Sequence, residues 1–262
     1  MSKVRPIADC HVHTAFSPDS NTAPEVAILR GIELGLQHIA ITDHIDTMWG
    51  TTFDAPQYFL ELTKLKEQYS SKIYVAIGVE AGWSPQSEAI TAQIVDNYPF
   101  DYVINSAHSV NDSDCYHQPH FMGRSRETVY NEYYLYVAKM LDSSYNFHAV
   151  GHLDYILRNA PYPNKIFEYK DFADVLDTLL TKIITRDKIL EYNTVSPVTT
   201  PSFEAIFRRF YKLGGRNVCF SSDAHTPGRI ADGYSRVKEL FDSIGYKYLT
   251  VVQDGKYVCL PL

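Results

Sequence analysis

Short runs of apolar and β-branched residues alternate with longer amphipathic stretches along this chain, and that rhythm sets the first expectation for its architecture. Strand-like runs fall at 7–11, 38–42, 73–80, 102–106, 149–152, 189–193 and 218–221, the clearest being the IYVAIGVE segment that ends at Glu80. Between them apolar residues recur at helical spacing over 23–34, 56–69, 86–97, 126–143, 167–186, 202–213 and about 231–244. Thr22 is placed to cap the first of these helices, with Pro24 in its first turn, and Gly214 and Gly215 are placed to end the sixth. The closing LTVVQDGKYVCL predicts a hairpin turned at Asp254 and Gly255.

Strands that alternate with helices form parallel sheets, and this many units predict an α/β barrel closed on itself. No repeat, low-complexity tract or linker divides the chain, so 1–262 is expected to be one domain. The composition fits a sizeable core: hydrophobic residues are 45% and charged residues 21%. The net charge of −7, without a basic run, argues against nucleic acid as a bulk electrostatic partner. A small anionic substrate stays open, because bound metal ions can dominate the local charge. Cys10, Cys115, Cys219 and Cys259 lie far apart and form no C-x-x-C pair, as expected for reduced thiols. The opening MSKVRPIADCH holds no apolar signal core, and no stretch approaches the roughly 18 apolar residues of a membrane span. A cytoplasmic protein with no membrane partner is the expectation.

Candidate chemistry collects where the predicted strands end. The first reaches His11 and His13, the second Asp43 and His44, the third Glu80, the fourth His108, the fifth His152 and the seventh Asp223 and His225; only the sixth ends without such a residue in this reading. Parallel strands in a barrel share one mouth at their C-terminal ends, so these residues are expected to converge. Residues two apart on an extended segment face the same side, which lets His11 and His13, and again Asp223 and His225, chelate in pairs. Imidazole with carboxylate suits zinc, manganese or iron. So many ligands oversupply one ion, and two to three ions sharing a carboxylate would use them better, activating a water for hydrolysis. A lone histidine is more often an ordinary hydrogen-bonded residue, and His38, His117, His120 and His148 are read that way. A single D-x-H-x-H is a moderate signal; its recurrence in order with T-D-H, G-x-E, S-x-H, G-H-x-D and S-D-A-H makes the set specific.

As a set, Asp9-Cys10-His11-Val12-His13, Thr42-Asp43-His44, Gly78-Val79-Glu80, Ser106-Ala107-His108, Gly151-His152-Leu153-Asp154 and Ser222-Asp223-Ala224-His225 resemble the motif series of the polymerase and histidinol phosphatase family. The resemblance runs over nearly the whole chain. It implies a distorted, TIM-like (βα)7 barrel with three metal ions at its mouth. It further implies that His11, His13, Glu80 and Asp223 hold the first, that Glu80 bridges to a second held by His108 and His152, and that His44 and His225 hold the third. Some family members place a histidine in the loop after the first motif; here Asp19 stands there, which resembles the histidinol-phosphate phosphatase branch. That branch implies hydrolysis of L-histidinol phosphate, a step of histidine synthesis, with Asp223 or His225 passing a proton to the leaving group.

Arg158, in GHLDYILR, is the candidate to clamp a phosphate oxygen, although an arginine on a solvated helix face is the ordinary alternative. Relatives of this branch often carry an arginine after the E-x-N-T strand, and here Glu191-Tyr192-Asn193-Thr194 runs into VSPVTTPS, which has none. Arg229 and Arg124 are the candidates to replace it. The nearest rival is a phosphoesterase of the same fold acting on a nucleotide or oligonucleotide. A non-enzymatic barrel is the other, and it would be expected to have lost ligands.

Overall fold

The computed structural model describes residues 4–196 and 200–262. Of the loop VSPVTTPS, residues 197–199 lie outside the described residues. Strands β1 (Ala8–Val12), β2 (His38–Ile41), β3 (Tyr74–Gly82), β4 (Tyr102–Ser106), β5 (Ala149–Val150), β6 (Ile189–Asn193) and β7 (Val218–Ser221) form a parallel sheet in sequence order. The seam between β7 and β1 is short. It consists of a single parallel bridge, Val12 with Ala224, and the backbone bonds Asp223 N–H to His11 O and His13 N–H to Ala224 O, each 2.9 Å. The sheet is therefore a nearly closed, distorted seven-stranded barrel, as expected.

The helices α1 (Pro24–Leu34), α2 (Ala55–Tyr69), α3 (Glu88–Asn97), α4 (Arg126–Met140), the single turn α5 (Tyr155–Arg158), α6 (Ala173–Thr185), α7 (Thr200–Lys212) and α8 (Tyr234–Ile244) lie between and after the strands. Their apolar stripes make the contact with the sheet. In α6 the stripe is Leu176, Leu179, Leu180 and Ile183, all fully buried at i, i+3, i+4 and i+7 spacing. Each such side chain contributes roughly 1.5–3 kcal/mol by leaving water.

Several boundaries differ from the sequence reading. Thr22 does not cap α1: the cap position is Ala23, without a side-chain bond, and the Thr22 hydroxyl donates to the His225 carbonyl instead. The segment from 167 begins not as α-helix but as a 3-10 turn, Tyr169–Phe172, closed by a reciprocal Glu168–Asp171 capping box. Helix α8 starts at Tyr234 rather than near Ala231, because Ala231 and Gly233 both take left-handed φ values, 59° and 83°. The hairpin of β8 (Tyr248–Gln253) and β9 (Lys256–Pro261) turns at Asp254 and Gly255 as the sequence predicts, both at positive φ.

That hairpin covers the N-terminal end of the barrel. His38, at the start of β2, donates through Nε2 to Val252 O; Tyr74, at the start of β3, donates to Asp254; Tyr257 donates to Asp187 O at 2.7 Å, with His148 O 3.2 Å from the same hydroxyl. The opposite end is left open to a cavity. No described helix is long and apolar enough to cross a membrane. All four cysteines are free thiols, three of them buried.

Candidate metal centre

The C-terminal ends of the strands deliver the metal-capable side chains to one place. β1 carries His11, with His13 one residue beyond its end; β3 carries Glu80; His108, His152 and Asp223 follow β4, β5 and β7 within two residues of each strand end. After β2 the chain adds a two-residue strand, His44–Ile45, that pairs in register with Glu80 and Ala81, so the backbone itself sets His44 beside Glu80. Asp223 sits at φ 54°, and this left-handed residue turns the chain from β7 toward His225.

Glu80 lies at the middle. Its Oε2 is 3.3 Å from His11 Nε2, 3.6 Å from His13 Nε2 and 2.9 Å from His44 Nδ1, while its Oε1 is 3.1 Å from His108 Nε2 and 2.8 Å from His152 Nε2. The two oxygens of one buried carboxylate thus face two groups of imidazoles, the arrangement a bridging ligand needs. Asp223 Oδ1 is 3.1 Å from His13 Nε2 and 3.7 Å from His11 Nε2. Asp19, more than half exposed at the lip, is 3.0 Å from His225 Nε2 and 3.6 Å from His44 Nε2. Among the described residues three sets of possible ligand atoms gather within 4.8 Å: His11 with His13 and Asp223, His44 with Glu80 and His108, and His13 with His44 and His225.

Hydrogen bonds on the far side of the rings fix which nitrogen of each histidine faces this centre. A carboxylate can only accept, so His11 Nδ1–H donates to Glu191 Oε1 (2.7 Å) and His108 Nδ1–H to Asp46 Oδ1 (2.9 Å). The single hydroxyl hydrogen of Ser17 goes to Asp43 at 2.6 Å, so Ser17 Oγ accepts from His13 Nδ1–H at 3.1 Å. His225 Nδ1–H donates to the Asp223 carbonyl. In the neutral form of all four rings Nε2 therefore presents a lone pair inward. His11 Nε2 and His13 Nε2 stand 2.9 Å apart, and His108 Nε2 is 3.1 Å from a carboxylate oxygen. Lone pairs held so close repel unless a cation lies among them. The donor set fits metal ions.

The electrostatics point the same way. Burial opposes charge on His11, but Glu80, Glu191 and Asp223 outweigh it and hold the ring well above its ordinary pKa. Burial likewise opposes charge on His108, yet Asp46 and Glu80 push it up to about 10. His13, buried and beside His44, falls to about 3. Glu80 and Asp223 stay ionised against the pull of burial because His11 lies against both. So much buried negative charge demands positive charge, which protons supply to the free protein and metal ions supply in their place.

The candidate ligands floor a cavity of about 500 Å³. Arg158 also lines it, held by Asp154 and reaching Asp223 Oδ2 at 3.4 Å. A family model described as the PHP domain matches residues 9–195 of the chain. The chain belongs to the PHP domain family. A histidinol-phosphatase of Lactococcus lactis subsp. lactis is 30% identical over 255 residues, 95% of each chain. A probable histidinol-phosphatase of Thermotoga maritima is 29% identical, over 95% of this chain and 96% of that one. The crystal structure of histidinol phosphate phosphatase from Lactococcus lactis, complexed with zinc, L-histidinol and phosphate, shares this fold with a TM-score of 0.87 at 27% identity, over 96% of this chain and 98% of that one. The matched span of the PHP model stops before Asp223 and His225, so the placement of those two rests on the geometry.

Within this PHP domain the structure brings together His11, His13, Asp19, His44, Glu80, His108, His152, Asp223, His225 and Arg158. It does not bring Arg124 or Arg229. Arg124 is tied to Glu132 and the His120 carbonyl, Arg229 to Asp232 at 2.6 Å, and neither lines the cavity. Their carboxylate partners lie nearer than the mouth, which corrects their candidacy as substitutes for the missing arginine. Two functional carboxylates escaped the sequence reading. Glu191, in the strand read as carrying nothing, orients His11 and accepts the His152 backbone N–H at 2.6 Å. Asp46 bridges His108 and His44 and packs so tightly on Gly82 that a Cβ there would fall 1.6 Å from Asp46 Oδ1. The missed signal was periodicity: Glu191-x-Asn193 and His44-x-Asp46 repeat the spacing of His11-x-His13.

Proposed function

We propose that this chain is a metal-dependent phosphomonoesterase that hydrolyses L-histidinol phosphate to L-histidinol and phosphate, a step of histidine synthesis. The observation that carries the reading is Glu80, a buried carboxylate whose two oxygens face separate imidazole groups at the floor of an open cavity. The similarity to a phosphatase complexed with zinc, L-histidinol and phosphate supplies the substrate. In this reading His11, His13, Glu80 and Asp223 hold a first ion, Glu80, His108 and His152 a second, and Asp19, His44 and His225 a third. Two to three ions of zinc, manganese or iron fit these donors, and residues 1–262 act as one hydrolase unit.

Bound there, metal ions withdraw charge from phosphorus and make water a nucleophile at neutral pH. The chain does the rest. Glu191, Asp46 and Ser17 lock the imidazole tautomers so that each ring offers its lone pair without rearrangement. Arg158 gives hydrogen bonds to a phosphate oxygen; the ionised Asp223 would take a proton from the attacking water and pass it through water to the leaving alkoxide, or His225 would supply that proton. The test is phosphate release by metal-defined protein from a panel of histidinol phosphate, nucleotides and oligonucleotides. Histidinol phosphate is expected to be cleaved with the highest kcat/KM. A nucleotide cleaved with higher kcat/KM would refute the reading.

A further inference from the structure

Asp223 lies two residues beyond the end of β7, in the left-handed region at φ 54°. A carboxylate can present one oxygen or both to an ion, and the groups around its outer oxygen decide which. Oδ1 faces inward, 3.1 Å from His13 Nε2 and 3.7 Å from His11 Nε2. Oδ2 faces Asn193 Nδ2 at 3.1 Å and Arg158 Nη1 at 3.4 Å.

Asn193, the last residue of β6, is buried, and its amide has one orientation. The Val195 N–H donates to Asn193 Oδ1 at 3.0 Å, so the NH2 group is the end that points at Asp223. The strand end that carries it is tied to β7. Asn193 pairs in register with Ser221, Thr194 N–H donates to the Ser221 carbonyl at 3.0 Å, and the Thr194 hydroxyl donates to the Asp232 carbonyl at 2.7 Å. The backbone of Asp223 is fixed as well, its N–H donating to His11 O and its carbonyl accepting from His225 Nδ1–H. Only the carboxylate is left to turn. The two donors on its outer oxygen differ in kind: Arg158 is a cation that Asp154 also holds, at 3.3 Å, whereas Asn193 is neutral. A neutral donor fixes the oxygen without cancelling the negative charge that a bound ion requires.

We infer that Asn193 is a positioning residue of the metal centre: its NH2 group holds Asp223 Oδ2 outward, so that Oδ1 alone is turned to the ion held by His11 and His13. The inference rests on the proposed metal centre and adds to it the residue that sets how Asp223 binds. Without Asn193, Arg158 is the side-chain donor that remains on Oδ2 among the described residues. The carboxylate then turns toward the guanidinium, which draws Oδ1 away from the ion and engages the group proposed to hold phosphate.

The test measures zinc affinity by chelator competition on the parent, Asn193→Ala, Asp223→Gly and the protein carrying both changes. Glycine takes the left-handed φ at position 223 without strain, so Asp223→Gly removes the carboxylate and keeps the turn. Asn193→Ala alone is expected to weaken one ion by about ten- to a hundredfold, the usual effect of losing a partner that orients a ligand. In the Asp223→Gly background there is no carboxylate to hold, and removing Asn193 should change the affinity for the ions still bound by less than about twofold. A role in folding alone would weaken binding equally in both backgrounds. Asn193→Ser, whose hydroxyl is one bond too short to reach Oδ2, gives the same reading should Asn193→Ala not fold. Parent-like affinity in the position-193 variants, or equal losses in both backgrounds, overturns the inference and leaves the metal centre standing. A parent that holds well under one ion per chain overturns the metal centre and the inference together.

Discussion

Replacing Glu191 with glutamine changes one atom far from solvent and tests how the metal centre is held together. Glu191 is fully buried and accepts two short bonds, from His11 Nδ1–H at 2.7 Å and from His152 N–H at 2.6 Å. A carboxylate accepts with both oxygens, but an amide has one oxygen and one NH2. Whichever way the amide turns, one of the two donors meets another donor. Leaving a buried donor unpaired costs about 1–3 kcal/mol. If the amide keeps the backbone N–H of His152, His11 must take the other tautomer, and its proton then points from Nε2 at His13 Nε2, 2.9 Å away, where the ligand lone pair should be. Either outcome weakens metal binding, by about ten- to a hundredfold, the usual effect of a lost orienting partner. Chelator competition on Glu191→Gln, beside thermal melts with and without metal, reads the two effects separately. Metal affinity within about twofold of the parent in a folded variant would refute the tautomer argument.

Four further outcomes follow from the same geometry. Protein prepared without chelator and supplied with zinc or manganese should hold two to three ions per chain by elemental analysis, and well under one would sink the scheme. Glu80→Gln should fold yet lose at least one ion and most activity, since a neutral amide cannot bridge; normal metal content and turnover would remove that role. Arg158→Ala should keep its metal and lose about ten- to a hundredfold in kcat/KM, while Arg124→Ala and Arg229→Ala, engaged elsewhere, should not. Burial lowers His38 from 6.5 to about 4, so below about 6.5 the unfolded chain takes a proton that the folded chain refuses. Stability should therefore fall as pH drops through that window and level off below about 4, and His38→Gln should show a shallower slope in Tm against pH.

The barrel was legible because each strand and helix announced itself locally: short β-branched runs, amphipathic stripes such as Leu176 to Ile183, and the Asp254-Gly255 turn. The convergence of the candidate ligands was legible because strand ends share one mouth. What stayed hidden depends on three dimensions. Thr22 looked like a cap, but its hydroxyl serves the His225 carbonyl, a partner about two hundred residues away that no local rule supplies. Glu191 and Asp46 have the right spacing but act through other residues, and only the ring orientations of His11 and His108 reveal it. Arg229 and Arg124 were plausible as charges and fail as positions, because nearby carboxylates hold them.

The seam between β7 and β1 also has a consequence for how the protein is made. His11 and His13 leave the ribosome some two hundred residues before Asp223 and His225, yet the backbone bonds between Asp223, Ala224, His11 and His13 are what join the first barrel strand to the last. Until β7 emerges, a nascent chain carries two bare strand edges, on β1 and β6, and an incomplete acidic-histidine cluster. Synthesis stalled or truncated before Val218 would leave those edges exposed to pairing with other chains, so this protein should depend on finishing translation quickly more than a helical protein of equal length does.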